Sequence, residues 1–210
     1  MLVLSCVAIH NVAADSLVPN SGFEDGLTGW QIFIPDESKD KNCHFDVVST
    51  EPYSGLNCAR LQSDDFARFG IGSAFIPVQA GEHYHVSVWI KADPTAQARP
   101  KTPGFVIRLY LRQGTADAAG GHLFISYGNA VSRNTPVVPE STTLPTTWTQ
   151  IEAVIEIPPG VDSVGPALFS WWTQGAIYAD DFSLDKVDAS TAVTPLWQSP
   201  TTPPAVPTTK

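Results

Sequence analysis

The feature that most constrains the fold is an alternation of apolar and polar side chains at every second position. In His83–Ala92, for example, apolar residues recur at the even positions from Tyr84 to Ile90. Successive side chains of a strand point to opposite faces, so this pattern predicts strands with one buried face. Five segments either alternate in this way or are rich in aromatic and β-branched residues: His83–Ala92, Phe105–Arg112, Trp148–Ile157, Ala167–Trp172 and Ala176–Leu184.

Turn residues separate these segments. Glycine or proline pairs occur at Pro103-Gly104, at Gly120-Gly121 and in Pro158-Pro159-Gly160, each between two predicted strands. No segment carries an apolar stripe at helical spacing. Many short strands divided by such turns are typical of a β-sandwich or a β-barrel, so the sequence predicts an all-β fold.

Charge excludes two classes of function. The 210 residues include 12 Lys and Arg against 21 Asp and Glu, for a formal net charge of -9. A sequence-independent nucleic-acid binder needs basic residues to neutralise phosphates, and a polybasic membrane-surface protein needs them to meet anionic lipids. We therefore expect neither partner. Since no run of about 18 apolar residues occurs, we expect no membrane insertion.

The two ends differ from the predicted domain, which occupies residues 15–188. Residues 1–14 are apolar and end in small residues, as in the later part of a secretory signal peptide. Cys6 also loosely fits a bacterial lipoprotein cleavage box, and a first strand is the alternative interpretation. Residues 189–210 are half Pro and Thr and contain no acidic side chain, which is typical of an extended linker or tail. We expect a secreted or surface-anchored monomer.

Two cysteines lie within the predicted domain, at Cys43 and Cys58. Two neighbouring antiparallel strands could bring them together, and an oxidising compartment would then form a disulfide. Two buried free thiols are the alternative. A zinc site is not expected, because the paired cysteine spacing of zinc sites is missing. A second unusual feature is Ala116–Ser141, a long connection that is expected to be functional or disordered.

Several short motifs together resemble carbohydrate-binding modules of families 4, 9 and 22. LVPNSGFEDGLTGW at Leu17–Trp30 resembles their opening signature, and IYADDFSL at Ile177–Leu184 resembles their closing strand. Between them, PYSGLNCARL, AGEHYHVSVWIKAD and TTWTQIEAVIEIPPGV resemble intermediate strands in the same order. The resemblance implies a β-sandwich jelly roll of two antiparallel sheets. It also implies a non-catalytic module that binds a polysaccharide and targets a glycoside hydrolase.

A structural calcium ion is a further implication of the resemblance. Glu24 and Asp180 lie in opposite terminal strands, and pairing these strands would bring together two carboxylates that repel unless a cation lies between them. Calcium accepts six to eight oxygen ligands in flexible geometry. The ligands implied by the resemblance are Gly22, Glu24, Ser54, Asn57 and Asp180, although Ser54 stands where some members have a carboxylate.

Sugar binding requires aromatic rings that stack on pyranose faces and polar groups that bind hydroxyls. Residues on the non-core faces of the predicted strands, with aromatic residues from turn-rich stretches, are the candidates: Phe69, His85, Trp89, Arg108, Tyr110, Arg112, Glu152 and Trp172. Of the pair Trp171-Trp172, one ring is expected in the core and the other on the surface. Trp89 could equally be a packing residue.

Arg108 and Arg112 share one face of one strand in a chain with few basic residues. They could bind an acidic sugar such as a uronic acid through bidentate contacts, or they could pair with Glu152 and Glu156.

Two alternative functions are left open: an extracellular structural or adhesive β-sandwich, and a jelly-roll lyase or glycosidase. Glu152 and Glu156 would lie roughly 13 Å apart on one strand, beyond the range of a glycosidase pair. His85, Arg108 and Tyr110 form the residue set of a lyase, but no lyase motif surrounds them. The sequence therefore favours a binding module without catalytic activity.

Overall fold

The computed structural model describes residues 16–138 and 143–198, and the fold is all-β, as predicted. One short 3-10 helix, Asp36–Ser38, occurs in this part of the chain. The strands are β1 (Trp30–Phe33), β2 (His44–Val48), β3 (Cys58–Ser73), β4 (Ile76–Pro77), β5 (His83–Ala92), β6 (Gln97–Ala98), β7 (Gly104–Gln113), β8 (Ala116–Asp117), β9 (Leu123–Ser126), β10 (Ala130–Arg133), β11 (Thr149–Glu156) and β12 (Ser163–Val187).

Two unusually long strands connect the layers of the fold. Strand β3 has 16 residues and β12 has 25, and they pair with each other in antiparallel register on both sides of an irregularity. In β12 the register shifts between Trp171 and Gly175, where Trp172 has φ of 60° and Gly175 has φ of 91°. This left-handed backbone interrupts the regular pleat, and bulges of this kind bend a strand.

The bend divides the hydrogen-bonded network into two antiparallel sheets, in agreement with the predicted β-sandwich jelly roll. Sheet I has the order β1–β3–β12–β7–β9–β10 and uses the second part of β3 and the first part of β12. Sheet II has the order β2–β3–β12–β5–β11 and uses the remaining parts of those two strands. Strands β4, β6 and β8 are two-residue additions at the margins.

The main core lies between the sheets and takes the alternate residues of each strand. From sheet I, Ile107 and Leu109 of β7 are fully buried, and from sheet II so are Val86 and Val88 of β5. A separate small cluster is buried on the other side of sheet I: Val106, Phe124, Ala167 and Phe169. The outer face of sheet I is therefore partly apolar, unlike an ordinary solvated sheet face.

The predicted strands correspond closely to β5, β7, β11 and the two parts of β12. The long connection Ala116–Ser141 contains β8 and the β9–β10 hairpin in its described part. The prediction that one ring of Trp171-Trp172 lies in the core was wrong, since both residues are only half-buried. Trp172 takes the left-handed conformation at the bend, so the strict alternation on which that prediction depended fails there.

The predicted signal-like segment 1–14, with Cys6, lies outside the described residues, as does the tail from residue 199. The described part of the Pro/Thr-rich segment lies against the domain. The Thr194 N–H donates to the Val154 carbonyl of β11 at 2.8 Å, and the Trp197 N–H donates to the Val131 carbonyl of β10 at 2.7 Å. Helices long and apolar enough to cross a membrane do not occur in the described part of the chain.

The predicted Cys43–Cys58 disulfide does not form, and both thiols are free. Strands β2 and β3 do pair, but His44 lies opposite Gln62 whereas Cys58 lies opposite Val48. The two cysteines therefore stand at opposite ends of the pair, roughly 15 Å apart, and a disulfide requires Cα atoms within about 7 Å. Burial raises the pKa of the Cys58 thiol to about 11.

Candidate binding face on sheet I

The outer face of sheet I gathers side chains from five strands. On β7, Phe105, Ile107 and Leu109 point into the core, so the intervening residues face outward. The outward residues of β7 are Val106, Arg108, Tyr110 and Arg112. We call this surface the arginine–aromatic face. The remaining contributors are Phe33 of β1, Arg68 of β3, Phe169 and Trp171 of β12, Phe124 of β9, and Phe75 beside β4.

Small residues in the middle of this face leave space above the sheet for aromatic rings. Ala167 of β12 lies opposite Gly72 of β3 in the ladder, and Phe169 lies opposite Gly70. A Cβ at Gly70 would lie 2.7 Å from the Phe169 ring, so only glycine allows that ring to cross the neighbouring strand. Gly165 similarly supports Phe75, because a Cβ there would lie 2.8 Å from the ring. The glycines thus make room for aromatic rings to lie along the sheet.

A cavity of about 310 Å³ opens between these rings and β7. Its walls include Phe33, which is 49% exposed, and Phe75, which is 37% exposed. Gln31 and Arg112 are among its polar lining residues, while Gly72 and Ala167 contribute to its floor. Apolar walls with a few polar groups are typical of small-molecule and sugar sites.

The guanidinium groups of β7 stack on aromatic rings. Arg108 lies 4.1 Å from the centre of the Tyr110 ring, and Arg112 lies 3.8 Å from that of Phe75. Such cation–π contacts orient the side chains without neutralising their charge. Burial lowers the pKa of Arg108, because it removes water from the charged group. Among residues 16–138 and 143–198, neither the Arg108 nor the Arg112 side chain has an ion pair or a hydrogen-bonded partner.

Pairing of these arginines with Glu152 and Glu156 was the alternative interpretation, and it was wrong. Both glutamates lie on β11, which belongs to sheet II. Glu152 instead contacts His85, with 2.8 Å between Oε2 and Nε2. The third arginine of the face differs from the other two, because Arg68 pairs with Glu37 and stacks 5.0 Å from the centre of the Trp171 ring.

Three of the predicted sugar-binding residues lie elsewhere, on the outer face of sheet II: His85, Trp89 and Glu152. Trp89 is stacked on Tyr53 with ring centres 3.9 Å apart and planes 13° apart. Lys91, on the same strand, pairs with Glu51 at 2.9 Å. These contacts pair side chains of this face with one another, but Tyr53 is still 41% exposed. A cavity of about 460 Å³, lined by His85, Trp89 and Asp185 among others, also opens on this face.

Phe69 and Trp172 belong to neither outer face. Phe69 is 0% exposed in the core, where its ring lies 5.0 Å from that of Phe45, so it packs between the sheets and offers no surface to a sugar. Trp172 lies at the bend of β12, covered by Arg99 at 4.4 Å. Sequence reasoning missed Phe33, Phe75 and Trp171. The alternation of β12 contained a signal for Trp171, but Phe33 and Phe75 become neighbours of β7 only through sheet pairing.

His122, which sequence reasoning also missed, lies at the margin of the arginine–aromatic face. Its ring centre is 4.9 Å from that of Tyr110, and its Nε2 is 3.9 Å from Asp117. Burial lowers the pKa of His122 and the positive Arg108 lowers it further, so the neutral imidazole is favoured. Burial raises the pKa of Tyr110, which favours the protonated phenol.

The five predicted calcium ligands lie close together at one end of sheet II. The Glu24 Oε1 atom accepts N–H bonds from Leu56 at 2.9 Å and from Asn57 at 3.1 Å. The Asp180 Oδ2 atom accepts them from Tyr53 at 2.9 Å and from Ser54 at 3.1 Å. The loop from Tyr53 to Asn57 is therefore held between the two carboxylates that the sequence pointed to.

The chemistry of this cluster fits a cation in part. Asp180 is 0% exposed, no cationic side chain in the described residues pairs with it, and burial raises its pKa to about 6. A Cβ at Gly22 would lie 3.2 Å from Asp181 Oδ1 and 3.8 Å from Asp180 Oδ1, so glycine leaves the approach to both carboxylates open. However, the described side chains do not converge as a group of three or more metal-ligating residues.

Comparison with known proteins identifies the fold. No family profile matches the sequence, and no curated protein matches it. Among solved structures, the enzymatically active domain of tailspike protein 4 from bacteriophage CBA120 has a TM-score of 0.59 at 12% identity, over 82% of this chain and 21% of that one. The present chain therefore spans about a fifth of that domain.

Carbohydrate-binding modules match over nearly their whole length. The C-terminal family 22 module of Clostridium thermocellum Xyn10B gives a TM-score of 0.53 at 12% identity, over 86% of this chain and 100% of that one. A family 4 module gives 0.52 at 13% identity, over 81% and 99%. The chain thus has the fold of carbohydrate-binding modules of the family 4 and 22 type, as the sequence motifs implied.

Proposed function

We propose that the protein is a non-catalytic module that binds a polysaccharide chain across the arginine–aromatic face. The observation that carries this proposal is the cavity of about 310 Å³ with exposed Phe33 and Phe75 in its walls. Aromatic walls accept the apolar faces of sugar rings, and nearby polar groups such as Gln31 and Arg112 can bind hydroxyls. The carbohydrate-binding modules that share this fold support the same function.

The opposite face supports the choice of sheet I. On sheet II, Trp89 is covered by Tyr53, and His85 already contacts Glu152. The cavity of about 460 Å³ on sheet II is lined mainly by polar residues, including Ser87, Asp181 and Asp185. Phe33 and Phe75 instead give the cavity on sheet I apolar walls.

The binding face is tested by isothermal titration calorimetry or affinity electrophoresis on the full chain, against xylan, mixed-linkage β-glucan, galactan and a polyuronate. The double variant Phe33→Ala/Phe75→Ala should weaken binding of the preferred polymer at least tenfold, because both stacking walls are lost. Tyr53→Ala/Trp89→Ala also removes two aromatic side chains, here from sheet II, and should change binding less than twofold. The opposite ranking would assign binding to sheet II.

Catalysis is the second candidate, and the position of His122 gives it a specific basis. His85 lies on sheet II, so the predicted set of His85, Arg108 and Tyr110 is divided between the sheets, but His122 lies beside Tyr110 and Arg108. Two observations favour binding instead. The raised pKa of Tyr110 opposes its use as a base, and the described residues that line the cavity include no carboxylate, whereas a glycosidase needs two.

Activity is checked by incubating the protein with each polymer and measuring new reducing ends, together with the ultraviolet absorbance of unsaturated uronate ends. We expect neither signal to exceed that of a buffer control. An absorbance signal of unsaturated ends that His122→Ala abolishes would instead make the protein a lyase.

We also propose that a structural calcium ion is bound by the carboxylates of Glu24 and Asp180. Oxygens of Gly22, Ser54 and Asn57 would complete its ligands. A cation would offset the cost of an ionised, buried Asp180, and loss of a ligand that binds only the folded state lowers stability. A chelator should therefore lower the melting temperature at pH 7, and added calcium should restore it. In Asp180→Asn the chelator should have no effect; a loss as large as in the unmodified protein would rule out this site.

We further propose that the protein is exported and serves a glycoside hydrolase as a targeting module. The support is the signal-like composition of residues 1–14 and the Pro/Thr-rich composition after residue 189. A module that targets an enzyme should raise hydrolysis of insoluble polysaccharide when it is fused to a catalytic domain, but not hydrolysis of a short soluble substrate.

A further inference from the structure

The charge of the arginine–aromatic face is unusual for this protein. The chain has a formal net charge of -9 and only 12 basic residues. Three of these, Arg68, Arg108 and Arg112, nevertheless lie on one face of sheet I. Since like charges repel, such a group is costly unless something of opposite charge meets it.

Neither of the two arginines of β7 forms an ion pair within the described residues. Arg68, the third arginine of this face, has a carboxylate partner, because it pairs with Glu37. Arg108 and Arg112 have only aromatic contacts, and the Nε atom of each is buried with no hydrogen-bond partner. The negative charge of Asp117 raises the pKa of Arg108 and so partly opposes the effect of burial. Asp117 is exposed, however, and its carboxylate lies 3.9 Å from His122.

The aromatic contacts also fix the positions of these charges. Arg108 lies on Tyr110 and Arg112 lies on Phe75, so both guanidinium planes are held before any ligand arrives. Less conformational entropy is then lost on binding. The two residues are four positions apart on one strand, a spacing of roughly 13 Å, which suits charges on different sugar residues of one chain.

We propose that the preferred ligand of this face is an acidic polysaccharide whose uronate carboxylates are bound by Arg108 and Arg112. This inference rests on the proposed sugar-binding function and adds the class of sugar. The planar guanidinium group matches a carboxylate and can donate two parallel hydrogen bonds to it. The position of Arg112 in the wall of the cavity, beside Phe75, places one cation where a stacked sugar ring would lie.

The experiment is a calorimetric titration of the full chain with four polymers. They are a polygalacturonate, the same polymer after chemical reduction of its carboxyl groups, a neutral xylan, and a sulfated galactan. The unmodified protein should bind the polygalacturonate at least tenfold more tightly than its carboxyl-reduced form. This preference should shrink as sodium chloride is raised from low to molar concentration, because salt screens exposed charges.

Variants then assign the preference to residues. Arg108→Gln/Arg112→Gln should weaken polygalacturonate binding at least tenfold more than it weakens any neutral-polymer binding, which loses only the hydroxyl contacts of Arg112. Arg99→Gln is the matched control, since it removes a guanidinium that also stacks on aromatic rings but lies at the bend of β12. It should leave both affinities unchanged, and unaltered melting temperatures will show that the variants fold.

The outcomes separate this inference from the function on which it rests. Equal binding of the polygalacturonate and its carboxyl-reduced form overturns the uronate assignment, while Phe33-dependent binding of neutral polymers would keep the proposed function. Tighter binding of the sulfated galactan than of the polygalacturonate overturns the carboxylate assignment in favour of sulfate esters. Binding of no polymer overturns both.

Discussion

The outer faces of the two sheets contain similar residue types but arrange them in opposite ways. On sheet II, three pairs form within the face: His85–Glu152, Lys91–Glu51 and Trp89–Tyr53. On sheet I, Arg108 and Arg112 lie on rings and have no anionic partner in the described chain, while Phe33 stays exposed. Residue type alone therefore does not distinguish a binding surface from a self-satisfied one; the partners of each residue do.

The largest expected effect on the contrast between the two faces comes from removing the buried ring of Phe169 from the outer face of sheet I. Phe169 is nearly fully buried in the small outer cluster of sheet I, in edge contact with both Phe33 and Trp171. Phe169→Ala should lower the free energy of unfolding by about 3 kcal/mol, because burial is lost and a cavity remains. Urea denaturation measures this change.

The matched change on sheet II is Trp89→Ala, which removes one half-exposed stacked pair. It should cost about 1 kcal/mol, the scale of an exposed aromatic contact. Equal losses for the two variants would mean that the outer cluster of sheet I contributes no more than a surface pair, and the contrast between the faces would fail.

A smaller effect tests the paired charges beside sheet II through their pH dependence. Glu82 accepts hydrogen bonds from Lys186, from the Tyr84 hydroxyl at 2.7 Å and from the Gln79 N–H at 3.0 Å. These donors, Lys186 first, lower the pKa of Glu82 from its usual 4.5 to about 2. A carboxylate whose pKa is lower in the folded state stabilises the protein above its unfolded pKa, and this stabilisation is lost as pH falls from about 4.5 through about 2.

Glu82→Gln should therefore lower the melting temperature at pH 7 and make it less dependent on pH in that acid range. Glu156→Gln, at an exposed position on the neighbouring strand β11, serves as the control and should leave the acid profile unchanged. A Glu82→Gln profile parallel to that of the unmodified protein would mean that these hydrogen bonds do not depend on the charge.

The fold followed from the sequence because local alternation determines which residues of a strand are buried. In β5 and β7 the alternation correctly separates Val86 and Ile107, which are core, from His85 and Arg108, which are not. The alternation does not state which sheet a strand joins. His85 and Arg108 therefore looked like neighbours in one site, although they lie on opposite outer faces.

Where sequence reasoning failed, long-range register was the cause. The Cys43–Cys58 disulfide required a register that β2 and β3 do not adopt. Phe69 looked like a surface ring in a turn-rich stretch, but β3 continues through that stretch and carries the ring into the core. In contrast, the motif-based grouping of Gly22, Glu24, Ser54, Asn57 and Asp180 brought together residues that are close in the structure.

The segment that follows β12 has a consequence for solubility. β10 ends sheet I and β11 ends sheet II, and such outermost strands present unpaired backbone groups that recruit other chains. The Thr194 N–H donates to the Val154 carbonyl of β11, and the Trp197 N–H donates to the Val131 carbonyl of β10. Leu196 forms a parallel β-bridge with Val131. A chain that stops at residue 188 would retain both sheets but leave both margins uncovered, so its self-association would report on the segment as a guard against aggregation.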